Sequence, residues 1–232
     1  MMKIGWEFYG ITDQASAHGR SDEEVAKGLI RGGIDVLQYR AKKVPAREQL
    51  ATAIRLRALT QAKGLPFIVN DRIDLAVACG ADGVHLGQDD LPVSAARLMV
   101  GRDLIVGIST HSLDQALRAE AEGADYIGFG PIHPTATKEN NVPAVGLEAL
   151  AQVLAQVRLP VVAIGGIKMG SLEGLAAAGA RCVAVVTALT GAEDVAAATH
   201  SMRQRWASLL AGEQDRALRG QRVQTVKKVS FL

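Results

Sequence analysis

Cysteine is nearly absent: Cys79 and Cys182 are the only two among 232 residues, and both sit in apolar surroundings. Two isolated thiols build neither a disulfide framework nor a metal-ligand spacing, so both read as small buried hydrophobes in a reducing compartment. Long apolar runs are missing as well. No stretch reaches the roughly 18 uninterrupted apolar residues that a spanning helix needs. Met1 to Tyr9 carries one lysine and no apolar core long enough for a signal peptide. A charge excess of one sign is lacking too, since the formal net charge is only +2. That value gives no reason to expect a nucleic acid or a membrane surface as partner. The absences together point to a soluble, cytoplasmic protein whose anion chemistry comes from placed residues rather than from a global field.

What is present is alternation. Short β-branched runs at Phe8–Thr12, Val36–Arg40, Pro66–Asn70, Gly83–Leu86, Leu104–Ser109, Tyr126–Gly130, Val161–Ile164 and Cys182–Val186 are separated by Ala/Leu-rich stretches of helical period. Several runs are almost wholly apolar, as parallel strands covered on both faces should be. The clearest helices are Ser21–Arg31, Ala46–Ala62, Ser112–Glu122 and Gly146–Val157. Ser21 with Glu24, and Ser112 with Gln115, read as capping boxes. Gly33, Gly64, Gly123 and Gly179 follow helical stretches as C-terminal stops. Eight β/α units in a chain near the roughly 250 residues of one α/β barrel predict a single (β/α)8 TIM barrel. An open doubly wound sheet would want a glycine-rich first turn, and Thr12-Asp-Gln-Ala is not one. The predicted barrel domain spans residues 1–210. Residues 211–232 form a polar, basic C-terminal extension, either a frayed tail or a strap on a neighbouring chain, which would make a homodimer.

In such a barrel functional residues gather where strands end. The second strand ends in Gln38-Tyr-Arg40-Ala-Lys42, where a guanidinium fork, an ammonium and an amide suit a diphosphate. Solvated loop charges would give the same letters. The third strand ends at Asn70-Asp71 and the fourth leads to Asp90. A pair of carboxylates beside a basic cluster suits Mg²⁺, which takes one or two carboxylates and completes its shell with phosphate oxygens and water. Each Asp taken alone fits a helix N-cap equally well. The fifth strand brings Ser109 and His111, either of which also suits a structural role. The long segment after the sixth strand, with Thr135, Thr137 and Lys138, reads as a lid closing on an anion. Gly165-Gly166 after the seventh strand and Val186-Thr187 after the eighth occupy the usual phosphate site of the fold. One phosphate site and one diphosphate–metal site imply condensation of two phosphorylated substrates.

These motifs, taken in order with Gly83-Val-His-Leu-Gly-Gln88-Asp-Asp90, Gly107-Ile-Ser-Thr-His111, Pro134-Thr-Ala-Thr-Lys138 and Ala163-Ile-Gly-Gly-Ile167, resemble the thiamine-phosphate synthase family over about residues 8 to 205. The resemblance implies a transferase that joins an aminopyrimidine methyl diphosphate to a thiazole phosphate, releasing diphosphate. It places Gln38, Tyr39, Arg40, Ala41, Lys42, Asn70, Ser109 and Lys138 on the pyrimidine diphosphate. Arg40, Lys42, Ser109 and Lys138 would carry catalysis. Thr135, Ala136, Thr137, Gly166, Val186 and Thr187 would hold the thiazole phosphate, and Asp71 and Asp90 would bind Mg²⁺. Thr187 departs from the Ser common in the family but keeps a hydroxyl. A thiazole tautomerase-like relative would not need both the Gln-x-Arg-x-Lys cluster and the Asp pair. A non-catalytic thiazole- or thiamine-phosphate binding module would not need the chemistry residues at all.

Overall fold

The computed structural model describes residues 4–135 and 142–229. Eight parallel strands close into a barrel in chain order: β1 (Phe8–Ile11), β2 (Val36–Tyr39), β3 (Phe67–Asn70), β4 (Gly83–Leu86), β5 (Ile105–Thr110), β6 (Tyr126–Phe129), β7 (Val161–Ile164) and β8 (Cys182–Val185), with β8 pairing back onto β1. The helices are α1 (Asp22–Gly32), α2 (Ala46–Gln61), α3 (Ile73–Ala78), α4 (Val93–Val100), α5 (Leu113–Glu122), α6 (Gly146–Gln156), α7 (Leu172–Ala177), α8 (Thr187–Thr190) and α9 (Val195–Val229). The predicted barrel is the observed one, with strand ends displaced by a residue at most.

Strand alternation sorts the apolar residues into two cores. Phe8, Leu37, Phe67, Val84, Val106, Ile127 and Val183 point outward and meet the helices. Tyr9, Ile11, Val36, Ile68, Ile105, Tyr126, Val162, Cys182 and Ala184 fill the interior. Trp6 closes the lower end, its ring edge-on to Tyr9 and Tyr126 with centroids 5.6 and 5.3 Å away. Gly107 makes this plug possible: a Cβ there would lie 2.2 Å from the Tyr126 ring, which crosses from the paired position on β6. Both cysteines are buried and free, and burial pushes the Cys182 thiol well above its ordinary range.

The lower rim carries a repeat of chemistry. Asp35, Asp82 and Asp125 each follow a helix-ending Gly by two residues. Asp35 accepts the N–H of Glu7 and Phe8, Asp82 that of Phe67, and Asp125 that of Val106. Each carboxylate also receives an arginine, Arg203, Arg57 and Arg97 respectively. The strand starts thus have their donors satisfied by side chains, as buried amides require.

Helix starts differ in detail. Ser21 and Glu24 form the expected capping box. Ser112 accepts from the Gln115 N–H, but the Gln115 side chain takes the His111 N–H instead of closing the box. At the chain's end, α9 runs on as one helix through residue 210. Its Val195 and Thr199 sit directly over Gly28 and Gly32 of α1.

Candidate active site

The upper rim, where the strands end, opens into one cavity of about 820 Å³. Gln38, Arg40, Lys42, Asn70, Asp71, Asp90, Ser109, Thr135, Gly166, Val186 and Thr187 all line it. Residues drawn from 150 positions of sequence therefore meet, because inward-pointing positions of successive strands converge on one mouth. Tyr39 does not join them. Strand alternation turns its ring outward into the helix-facing core. Ala41 packs against the same outer core rather than lining the cavity. Ala136, Thr137 and Lys138 lie outside the described residues.

The basic side of the mouth is held by acids. Arg40 donates from Nη1 to Asp13 Oδ1 at 2.5 Å, with both side chains largely buried at 15% and 6% exposure. Asp13 also accepts from Ser16 Oγ at 2.8 Å, and the Arg40 N–H is taken by Thr12 Oγ1. The end of β1 thus fixes the guanidinium of β2, a partnership that the sequence reading missed. Lys42 is half exposed and reaches Asp71 Oδ2 at 2.6 Å.

Neither Asp71 nor Asp90 is a helix cap. The N-cap positions of α3 and α4 fall on Arg72 and Pro92, and neither supplies a side-chain cap. Asp71 adopts a left-handed backbone, φ 63°, which a non-glycine residue takes up only where its surroundings enforce it. Its N–H donates to the His85 carbonyl at 2.8 Å. Asp90 accepts the Gly87 N–H at 2.6 Å. Its carboxyl is pushed above the usual carboxylate range, first by burial and then by the charge and hydrogen bonding of Asp71 beside it. Two carboxylates pressed together at cost are a fit for a divalent cation. Among the described residues no cluster of three or more His, Cys, Asp or Glu exists. A cation held here would need oxygens from substrate and water, which is the habit of Mg²⁺.

The opposite side is built from glycine and hydroxyl. Gly165 and Gly166 have φ of 99° and 64°. A Cβ on Gly165 would lie 2.4 Å from Pro131, and one on Gly166 would lie 2.7 Å from the Pro134 carbonyl. The pair is therefore demanded by the tight approach of the segment after β6, in addition to any anion. That segment is pinned to β7 by Ile132 N–H to Ile164 O at 2.9 Å and His133 N–H to Gly165 O at 3.0 Å. Thr187 begins α8 at the cavity wall.

Beneath the mouth lies a polar layer that the sequence reading also missed. Gln38 Nε2 donates to Tyr9 Oη at 2.8 Å, Tyr9 meets Tyr126 at 3.0 Å, Tyr126 meets His85 Nδ1 at 2.9 Å, and His85 Nε2 meets Ser109 Oγ at 3.0 Å. Burial pushes both phenols far above their ordinary range, so each remains a hydroxyl. The signal was available in the alternation: His85 and Tyr126 occupy inward positions next to Gly87 and Gly128.

Comparison with known proteins places this cavity in context. Residues 8–189 match the family described as thiamine monophosphate synthase. Thiamine-phosphate synthase of Pelotomaculum thermopropionicum is 48% identical over 197 residues, covering 85% of this chain and 90% of the relative. That of Chloroflexus aurantiacus is 43% identical over 215 residues, covering 93% and 97%. Among solved structures, thiamine phosphate pyrophosphorylase from Pyrococcus furiosus superposes with a TM-score of 0.82 at 37% identity, covering 89% of this chain and 98% of that one. Likeness of this extent, over the barrel and every strand end that feeds its mouth, means that the chain belongs to the thiamine monophosphate synthase family.

Proposed function

We propose that the cavity seats both substrates of thiamine-phosphate synthesis at once, the pyrimidine diphosphate over β2–β5 and the thiazole phosphate over β6–β8. The enzyme is a transferase of thiamine biosynthesis, acting on phosphorylated small molecules. The observation that carries the arrangement is that a basic–acidic rim and a glycine–threonine rim line one space of about 820 Å³, wide enough for two small ligands. Gln38, Asn70 and Ser109 hold the aminopyrimidine ring. Arg40 and Lys42 face the diphosphate, and Thr135, Gly166, Val186 and Thr187 face the thiazole phosphate. Roles for Ala136 and Thr137 at the thiazole phosphate, and for Lys138 at the diphosphate, stay as the resemblance implies them.

The CH₂–O bond breaks with its electron pair leaving on diphosphate, and the thiazole nitrogen lone pair forms the new C–N bond. Arg40 stabilises the charge growing on the leaving oxygen, and it does so pre-aimed, because Asp13 already fixes its fork. Lys42 adds a second positive charge. The cavity walls keep the two reacting atoms in line, converting a bimolecular encounter into an internal one. Asp71 and Asp90 would hold Mg²⁺, and the ion so held would supply charge neutralisation for a departing diphosphate.

Incubating the protein with both substrates and Mg²⁺ should release diphosphate in step with loss of the pyrimidine substrate, and excess chelator should stop it. No release with both substrates present would overturn the assignment, and undiminished release in chelator would remove the metal from it.

A further inference from the structure

Closure of the barrel puts the end of β1 between the two rims of the cavity, since β1 pairs with β2 on one side and with β8 on the other. Asp13, just past β1, gives one carboxylate oxygen to Arg40 of the basic rim at 2.5 Å. Its other oxygen accepts from Ser16 Oγ at 2.8 Å. Ser16 Oγ meets Thr190 Oγ1 of α8 at 2.5 Å, whichever hydroxyl donates. Thr190 Oγ1 also reaches the Val186 carbonyl at 3.2 Å, and that carbonyl takes the N–H groups of Leu189 and Thr190 at 2.9 Å each. Asp13 and Thr190, the two ends of this tie, are buried, where such bonds hold more firmly than in water. The loop's backbone is fastened to α8 separately. Arg20 donates to the Ala17 carbonyl on the loop and to the carbonyls of Thr190, Ala192 and Glu193. What Ser16 adds is a fixed place for the Asp13 carboxylate, and through it for the Arg40 fork.

We infer that Ser16 is a positioning residue that sets the spacing between Arg40 and the Val186–Thr187 turn, and so holds the thiazole nitrogen in line with the breaking CH₂–O bond. The inference rests on the seating of the two substrates proposed above. Ser16 and Thr190 stand behind the cavity wall, whereas Asp13 and Val186 on either side of them line it. The tie therefore acts through the two anchors rather than on a ligand. Each substrate is carried by its own phosphate groups, so an error in the spacing of the anchors passes to the spacing of the reacting atoms. A displacement of about 1 Å is worth about a hundredfold in rate. Affinity responds differently. Without the Ser16 hydroxyl, the Asp13 carboxylate and the Arg40 fork swing as a pair, keeping their charges and their mutual bond, while Val186 keeps the amide donors of α8. Each rim still binds its anion, and only the alignment between the rims is lost.

The test is the fate of the pyrimidine substrate in the full-length enzyme. Bond breaking leaves an electron-poor carbon that water can also take. The water oxygen then bonds to that carbon, the extra proton passes to solvent, and the pyrimidine alcohol appears beside diphosphate in place of thiamine phosphate. With both substrates saturating and Mg²⁺ present, Ser16→Ala should form thiamine phosphate about tenfold more slowly than wild type. The share of pyrimidine alcohol per diphosphate released should rise, and both Michaelis constants should stay within about threefold of wild type. Thr190→Val should do the same, and the double variant should be no worse than either single one, because both changes cut one tie. Ser16→Thr, which keeps the hydroxyl, should return the product share to that of wild type. A purely structural role would lower the melting temperature and the amount of active enzyme but would leave the alcohol share unmoved. Should Ser16→Ala not fold, the nearly isosteric Thr190→Val decides. Folded variants that keep the wild-type rate and product share would refute the role while leaving an active wild type, and the functional reading, intact. A wild type that releases no diphosphate from the paired substrates would overturn that reading, and this inference with it.

Discussion

At the scale of single residues, the site is governed by carboxylates that hold other groups. Asp13 is the clearest, because it holds both Ser16 and the Arg40 guanidinium while nearly fully buried. Asp13→Asn keeps the shape and one acceptor but removes the charge that pins Arg40. The Michaelis constant for the pyrimidine diphosphate should rise about tenfold, or 1.4 kcal/mol, as expected for a charge-assisted bond weakened to a neutral one. Steady-state kinetics with each substrate varied in turn should show the thiazole phosphate constant unmoved. Asp90 behaves in the opposite sense. Its folded pKa lies above the ordinary Asp value, so the native state holds a proton that the unfolded chain gives up. Stability is therefore lost as pH rises from the ordinary Asp value through the raised one, and the penalty is fully present at neutral pH. In chelator at pH 7, Asp90→Asn should melt on the order of 1–2 °C higher than wild type, a small gain because the group is partly solvated. With Mg²⁺ and diphosphate added, the wild type should gain stability and the variant should not. A variant that melts lower in chelator would contradict the crowding of the two carboxylates. Asp71 and Asp90 were legible as a pair from their strand ends. Asp13 was not, because its partner lies 27 residues away on another strand and nothing local marks it.

At the scale of elements, the apolar runs and helix stops were legible because each is a local pattern: β-branched runs for buried parallel strands, Ser–x–x–Glu for a start, Gly for an end. The lower-rim Asp repeat was printed in the letters of Gly33-Ile-Asp35, Gly80-Ala-Asp82 and Gly123-Ala-Asp125, yet its sense appears only when each carboxylate meets the start of another strand. Tyr39 shows the converse. It sits inside the most informative motif of the chain, but period-two alternation sends its ring to the outer layer while Gln38 and Arg40 turn in. Helix contacts were equally hidden. A Cβ at Gly32 would lie 2.3 Å from Thr199 Cβ and 2.8 Å from the Ala196 carbonyl, so α1 and α9 approach through glycine. Gly32→Ala gains a little helix propensity but forces these two helices apart. The net effect should be a destabilisation of about 1–3 kcal/mol, typical of overpacking, read as a lower urea midpoint with an unchanged slope. Turnover per folded molecule should stay as in wild type, since neither helix face reaches the cavity. A variant as stable as wild type would mean that the close approach is not a real constraint.

At the scale of the whole molecule, the barrel separates stability from chemistry by end: aromatic plug and Asp–Arg clamps below, charged and hydroxyl groups above. The last helix belongs to the lower, structural account. Met202, Trp206 and Leu210 are buried against the barrel, and Leu210 is the last buried side chain among those described. Arg203, on the same stretch, ties Glu7 and Asp35 at the start of β1. A chain ending at residue 213 keeps all of these contacts, whereas one ending at residue 201 loses them together. Burial of each large apolar side chain contributes about 1.5–3 kcal/mol, and the loss of three approaches the whole 5–15 kcal/mol that holds an ordinary domain folded. The chain ending at residue 213 should therefore melt within about 2 °C of the full chain and release diphosphate at the full rate, and the one ending at residue 201 should fail to fold cooperatively. Calorimetry of the two proteins, beside the diphosphate assay on the first, decides the matter. A chain ending at residue 213 that loses activity while keeping its melting temperature would mean that residues 214–232 serve the catalytic cycle rather than the fold, and the barrel domain would then have to be drawn past residue 210.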